Sequence, residues 1–163
     1  MGIAPAVFSI VVLQSAQWGA DWAWGLPLIV STVILHVLGL GLIGQKAARA
    51  GHIFERRHPT TAFVAVVGAT TLLATCLHAL EASIWGAAYL VLGAVPNEKT
   101  AMLYSLNAIT SYGHENLMLS NRWQLMGAME ALNGWLLFGL TTAFLFGTIE
   151  KVWVAAANQE GRT

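Results

Sequence analysis

The sequence predicts an all-α integral membrane protein with three membrane-spanning helices, a re-entrant helix and loop before the last span, and an N-terminal interfacial helix. Of its 163 residues, 56% are hydrophobic and 10% are charged, with a mean hydropathy of +0.63, whereas soluble domains carry about 25% charged residues. Several apolar runs are long enough to cross the ~30 Å hydrocarbon core of a bilayer. A polar loop lies between two of them, and such loops occur at membrane depth only where they are buried in protein or line a water-filled path.

The N-terminal part is predicted to hold the interfacial helix and the first span. Residues 1–25 form the first region, in which the apolar stretch 3–20 is broken by Gln14, Ser15 and Gln17. The region also holds three tryptophans, a residue type that favours the headgroup level: Trp18, Trp22 and Trp24. We therefore expect residues 3–20 to lie flat at the interface, with a further span as the alternative. The first clear span is Leu26–Ile43, and Pro27 suits the first turn of its helix.

The distribution of charge predicts the orientation. Region 26–61 contains the first span and a loop with half of the positive residues of the chain, Lys46, Arg49, Arg56 and Arg57. By the positive-inside rule this loop is cytoplasmic, so the N-terminus is expected outside and the tail, residues 151–163, in the cytoplasm. The net charge is zero and the chain has no basic tract, so nucleic acid is not expected as a partner.

Region 62–150 is expected to form one domain. It begins with a span near Ala62–Ser83 and ends with a span at Trp123–Phe146. Between them Asn97 is a good N-cap for a helix at Glu98–Ile109, whose three turns are too few to cross a bilayer. This helix is half polar and should pack in protein. Its C-terminal end carries about half a negative charge and favours a cation in the following loop. A soluble hairpin outside the membrane is the alternative.

Two stretches of this domain carry a family resemblance: LHALEASIWGAAYLVLGAVPNEKTAMLYS and, after the loop, LSNRWQLMGAMEALNGWLLFGLTTAFLF. Together they resemble the pore domain of tetrameric pore-loop cation channels, especially the small bacterial two-transmembrane or two-pore-domain potassium channels, over roughly residues 75–146. The resemblance implies a homotetramer in the inner (plasma) membrane, in contact with lipid, that conducts K⁺, Na⁺ or Ca²⁺ passively. It implies no enzymatic activity and no cofactor other than the permeant cation.

The resemblance also places a selectivity filter after the pore helix, at Thr110, Ser111, Tyr112, Gly113, His114 and Glu115. These residues and Asn116 align with the family pattern Thr-Thr-Leu-Gly-Tyr-Gly-Asp. Gly113 keeps the first glycine, but His114 replaces the tyrosine and Glu115 the second glycine. In the family, the second glycine lets the backbone turn its carbonyls toward the ion. A residue with a Cβ adopts that backbone conformation at a cost of about 1 kcal/mol or more. We therefore expect a non-selective or divalent-permeable filter; a potassium channel with an altered filter is the alternative.

The charge in this filter comes from Glu115. Four such carboxylates around an axis would form a ring at the outer mouth and a site for a permeant metal ion, since acidic rings select cations. Together with carbonyls of Ser111 and Tyr112 they would favour calcium, magnesium or mixed cations. His114 would add a proton-sensitive ring. In the alternative, both side chains point away from the axis and conduction uses only Thr110–Gly113.

Five residues of the last span are candidates for the cavity or gate: Glu130, Asn133, Gly134, Gly139 and Thr141. Glu130 is costly in a membrane and is therefore a functional candidate; its alternative role is to hold the pore helix or a neighbouring helix. Asn133 and Thr141 would line a water-filled cavity. The two glycines are gating hinges by resemblance, or sites of close helix packing.

Three further polar residues fall in predicted spans: His36, His78 and Glu81. His78 and Glu81 share a helical face and would hold the pore helix or bind a metal. His36 and His78 would instead, in a remote alternative, ligate a haem between two spans, as in a small electron carrier. A non-conducting accessory subunit is the third class of function.

Overall fold

The described residues form helices joined by short connections. The computed structural model describes the backbone of residues 3–54, 59–113 and 117–160, and the side chains of residues 18–49, 60–61, 63–113, 117–151 and 153. In chain order the elements are α1 (Ile3–Phe54), α2 (Pro59–Val91), α3 (Glu98–Ile109), a 3₁₀ turn (Asn121–Trp123) and α4 (Gln124–Glu160). The prediction of an all-α fold is confirmed over these ranges.

Three of these helices are long and apolar enough to cross a membrane. The candidate spans are Trp18–Arg49 in α1, Phe63–Val91 in α2, and Asn121–Lys151, which covers the 3₁₀ turn and most of α4. The prediction of three spans in a multi-pass membrane protein is therefore confirmed by length and composition. The identity of the membrane and the sidedness of the termini stay predictions.

Helix α1 differs from the sequence-based expectation. No helix begins at Pro27: α1 runs without a break from Ile3 to Phe54, and Pro27 lies inside it. One proline inside a helix costs about 3 kcal/mol, whereas a break in an apolar segment would leave several backbone groups bare, each at a cost of several kcal/mol in lipid. The continuous helix is therefore the cheaper solution. For the same reason Lys46 and Arg49 lie on α1 and not in a loop, while Arg56 and Arg57 fall outside the described residues.

The chain divides into two compact units. The first unit comprises residues 1–32 and 82–135. Its core is rich in aromatic side chains, which pack edge to face as in the Tyr89–Tyr104 pair, with ring centroids 5.3 Å apart. Buried Trp85, Trp123 and Met126 belong to the same core. This unit therefore packs α3 against α2 and α4.

The second unit comprises residues 33–81 and 136–163. Its apolar core is smaller and centres on Leu40, Ala74 and Leu77. Beside these residues the unit buries polar side chains, among them His36, Glu81 and Thr141. Since buried polar groups need hydrogen-bond partners, these three side chains are expected to bond one another or nearby residues.

The short helix α3 has the bounds that its sequence predicts. Asn97 is its N-cap, and the side-chain Oδ1 of Asn97 accepts a hydrogen bond from the Thr100 amide at 2.9 Å. Glu98 lies in the first turn, where a carboxylate stabilises the positive end of the helix. The cap therefore determines where the chain enters α3 and so the direction in which the helix runs.

Candidate functional site

The C-terminal end of α3 lies beside Gly134 of α4, near the centre of the third candidate span. The Ile109 carbonyl approaches the Cα of Gly134 so closely that a Cβ on Gly134 would collide with it. Gly134 is the fourteenth residue of the 31-residue candidate span that starts at Asn121. Helix α3, which is too short to cross a membrane, thus ends level with the centre of the candidate span Asn121–Lys151.

The two ends of the segment that contains α3 are joined to each other. After α2, Gly93 has a positive φ of 62° and the Ala94 amide donates to the Tyr89 carbonyl at 2.8 Å, which is the hydrogen-bond pattern of a glycine C-cap. The Ala94 carbonyl then accepts a hydrogen bond from the Ser120 amide at 3.0 Å. Ser120 directly precedes the 3₁₀ turn, so the chain leaves α2 and returns to α4 at one level.

Helix α3 is anchored by a buried polar cluster of Ser105, Glu130 and Tyr89. Ser105 Oγ lies 2.6 Å from the Ala82 carbonyl of α2 and also contacts Glu130 Oε1. Tyr89 Oη lies 2.6 Å from Glu130 Oε2. All three side chains are fully buried. The cluster therefore ties α3 to both α2 and α4.

The protonation of this cluster follows from counting donors. Three short atom pairs need a proton each: Ser105 with Ala82, Ser105 with Glu130, and Tyr89 with Glu130. A fourth pair, Tyr89 Oη with the Met126 carbonyl, is longer, at 3.4 Å, and is left out of the count. The two hydroxyls supply two protons, and a carbonyl oxygen supplies none. All three pairs are hydrogen bonds only when Glu130 carries the third proton. The neutral form of Glu130 thus fits its surroundings best.

The turn that follows α3 is exposed. Thr110, Ser111, Tyr112 and Gly113 all lie at the surface of the chain, and Tyr112 is 85% exposed. Ser111 and Gly113 have positive φ values of 53° and 99°. The amides of Thr110, Ser111 and Tyr112 donate back to carbonyls of α3, and Trp135 Nε1 donates to Ser111 Oγ at 2.9 Å. These bonds engage the amides of the turn, not its carbonyls. The remaining predicted filter residues, His114 and Glu115, and Asn116 beside them, fall outside the described residues.

Four of the five cavity or gate candidates of α4 lie in the interior of the chain. Glu130, Asn133, Gly134 and Thr141 are all buried, and their spacing places them on one helical face. Asn133 Nδ2 donates to Thr32 Oγ1 of α1 at 2.8 Å. Asn133 and Thr141 are each enclosed by their own chain, and their cavity-lining role stays a prediction. Of the two predicted hinges, Gly134 makes the close approach described above. Gly139 is exposed, with no described atom within 4 Å of a Cβ placed on it.

A second buried polar cluster lies in the other unit. His36 Nδ1 is 2.8 Å from Glu81 Oε1, and His36 Nε2 is 2.9 Å from Thr141 Oγ1. His78 Nε2 is 3.0 Å from the same hydroxyl, and His78 Nδ1 is 3.4 Å from Glu81 Oε2. In this cluster the His78–Glu81 pair bonds residues of α1 and α4, so the expected bonds to the pore helix are not seen.

The two histidines of this second cluster do not fit the haem of the remote alternative. Their ring centroids lie 5.0 Å apart at an angle of 48°, and both Nε2 atoms share one hydroxyl. The plane of a porphyrin would have to pass between the two imidazole rings. The rings lie too close together to admit it.

The sequence did not point to the partners of these polar residues. Tyr89, Ser105 and Thr32 look ordinary in the sequence, because their role depends on contacts between helices. Asp21 is different: it is 2% exposed, and its Oδ1 has no hydrogen-bond partner among the described residues. An acidic residue in an apolar stretch is the sequence signal that made Glu130 a candidate. The same signal would have identified Asp21 as a candidate.

Comparison with known proteins gives no relative: no protein-family model, no curated protein and no solved structure matches the chain. Its function has to be inferred from the residues and their geometry.

Proposed function

We propose that the protein is a passive cation channel in which four copies of the chain surround a conduction path formed by residues 110–115. The observation that supports it most is the placement of α3: it ends beside Gly134, near the centre of the third candidate span, while Ala94 before it and Ser120 after it are hydrogen-bonded to each other. Non-helical backbone at membrane depth is tolerated where it is buried in protein or lines a water-filled cavity. A pore loop satisfies this condition.

The electrostatics of this segment favour cations. The C-terminal end of α3 carries about half a negative charge and precedes the turn Thr110–Gly113. The hydrogen bonds of that turn use its amides, and channel filters use rings of backbone carbonyls or carboxylates to replace the hydration shell of a cation. Glu115, two residues beyond Gly113, supplies one negative charge from each chain. Cation conduction without strict potassium selectivity is the activity that this chemistry supports.

Assembly into a tetramer follows from the pore loop, because one loop supplies one quarter of a fourfold path. The surface of α4 near the turn is apolar and exposed: Trp135 is 71% exposed and Leu132 is 59% exposed. Such a surface is compatible with contacts to lipid or to neighbouring chains.

The charge of Glu115 gives the test of this proposal. Purified protein in liposomes is expected to carry K⁺, Na⁺ and Ca²⁺ down their gradients. In Glu115→Gln the flux of Ca²⁺ relative to K⁺ is expected to fall about tenfold, the equivalent of ~1.4 kcal/mol, because the acidic ring loses its charge. The matched control is Glu150→Gln, which removes one carboxylate from an exposed position of α4 and should leave the ratio unchanged.

Two other outcomes would contradict the proposal in different ways. Potassium-selective flux that Glu115→Gln leaves unchanged would mean that Glu115 faces away from the axis and that conduction uses Thr110–Gly113 alone. No flux of any ion through a verified tetramer would favour a non-conducting accessory subunit.

A further inference from the structure

With both imidazoles neutral and the carboxyl ionised, the cluster of His36, His78, Glu81 and Thr141 has one proton fewer than it has atom pairs. Its four atom pairs form a closed ring: each histidine contacts the carboxylate through Nδ1 and the hydroxyl through Nε2. Two neutral imidazoles and one hydroxyl supply three protons, and an ionised carboxylate supplies none. Three pairs lie within 3.0 Å, and the fourth, His78 Nδ1 with Glu81 Oε2, is longer, at 3.4 Å. The proton is therefore missing from this last pair.

The missing proton leaves a cation-binding position. Glu81 Oε2 is fully buried and accepts no hydrogen bond from the residues that the structure describes. A buried carboxylate oxygen without a partner is costly, and it faces a nitrogen lone pair, which repels it. A cation between these atoms would remove both penalties.

We infer that His36, His78 and Glu81 bind one divalent transition-metal ion of the zinc class, with the two Nδ1 atoms and the Glu81 carboxylate as ligands. Imidazole nitrogen and carboxylate oxygen are ligands that zinc and its first-row neighbours accept. The donor atoms of the three residues lie within 4.8 Å of one another. Tetrahedral zinc with bonds of 2.0–2.1 Å separates its ligand atoms by about 3.3 Å, close to the spacing of the open His78–Glu81 pair.

Thr141 contacts the two histidines on the side of each ring that faces away from the metal. With the ion on both Nδ1 atoms, each histidine carries its proton on Nε2. The Thr141 hydroxyl oxygen has two lone pairs and lies 2.9 and 3.0 Å from the two Nε2 atoms, so it accepts both hydrogen bonds. Partners of this kind orient metal-bound histidines.

The bound ion would join α1 to α2. His36 lies on α1, and His78 and Glu81 lie on α2. The His78 side chain is 26% exposed, which leaves the ion a route to the cluster. An ion that binds only the folded chain raises its stability.

Metal binding by the purified protein tests this inference without measuring conduction. The exposed thiol of Cys76 is a competing ligand, so the parent protein is Cys76→Ser. After treatment with a chelator it is expected to bind one Zn²⁺ per chain in calorimetry, to unfold at a higher temperature with Zn²⁺, and to give visible absorption bands with Co²⁺. Glu81→Gln and His78→Asn should each weaken Zn²⁺ binding by more than about a hundredfold, and Thr141→Val by about tenfold.

The control is His52→Asn, the same exchange at a histidine outside the cluster, which should bind Zn²⁺ like the parent. Helical circular dichroism of each variant separates loss of a ligand from loss of the fold. The inference is overturned if the folded parent takes up no Zn²⁺. It is equally overturned if folded Glu81→Gln and His78→Asn bind Zn²⁺ as tightly as the parent.

Discussion

Glu130→Ala is expected to lower the free energy of unfolding by about 3 to 5 kcal/mol, because it leaves a cavity and two buried hydroxyls without a partner. The lost side chain is fully buried and contacts Ser105 of α3 and Tyr89 of α2. Glu130→Gln keeps the volume, accepts from Tyr89 through its carbonyl oxygen and donates to Ser105 through its amide. It should therefore cost about 1 kcal/mol or less. Thermal unfolding in detergent measures both.

The control for this pair is Tyr89→Phe, which removes one hydroxyl and keeps the ring; it should cost about 1–2 kcal/mol. If Glu130→Gln were as damaging as Glu130→Ala, the cluster would hold an ionised carboxylate and the count of protons would be wrong. If both were harmless, Glu130 would not anchor α3.

Gly134→Ala is expected to disturb the end of α3 and with it the proposed conduction path. The new Cβ would collide with the carbonyl of Ile109, and a backbone atom has no rotamer through which to yield. The end of α3 or the axis of α4 must move, at a cost of about 1–3 kcal/mol. Since Ile109 precedes the turn that begins at Thr110, cation flux should also be lost or strongly reduced. Unfolding in detergent and flux in liposomes measure the two effects.

Gly139→Ala is the matched control on the same helix. No described atom lies within 4 Å of a Cβ at this position, and alanine is a better helix former than glycine by about 1 kcal/mol. The exchange should leave the stability unchanged or slightly raised, with normal flux. Loss of flux in a stable Gly139→Ala protein would instead make Gly139 a gating hinge. A harmless Gly134→Ala would contradict the close approach of α3 and α4.

Local signals in the sequence predicted the elements better than the contacts between them. The start of α3 was predictable because Asn97 caps the amides of the turn that directly follows it in the chain. The shared face of Glu130 and Asn133 follows from helical spacing alone. Whether that face looks into a cavity or onto its own chain depends on packing, which spacing does not determine. The partners Tyr89, Ser105 and Thr32 were missed for this reason.

The start of the first helix was not predictable from local signals. The tryptophans and Pro27 resemble a boundary, but the cost of bare backbone groups in lipid outweighs that of one proline. Of the six predicted filter residues, Thr110–Gly113 are exposed, and the assignment of all six to a filter stays a prediction.

The most direct test of the channel is to block it chemically at Tyr112, which is 85% exposed in the turn after α3. Tyr112→Cys in a Cys76→Ser background would be reconstituted in liposomes and treated with a membrane-impermeant, positively charged methanethiosulfonate. We expect cation flux before treatment and a fall to the level of protein-free liposomes after it, with no effect of the reagent on Cys76→Ser alone. Complete labelling of the introduced thiol with unchanged flux, or no flux before labelling, would contradict a conduction path at this turn.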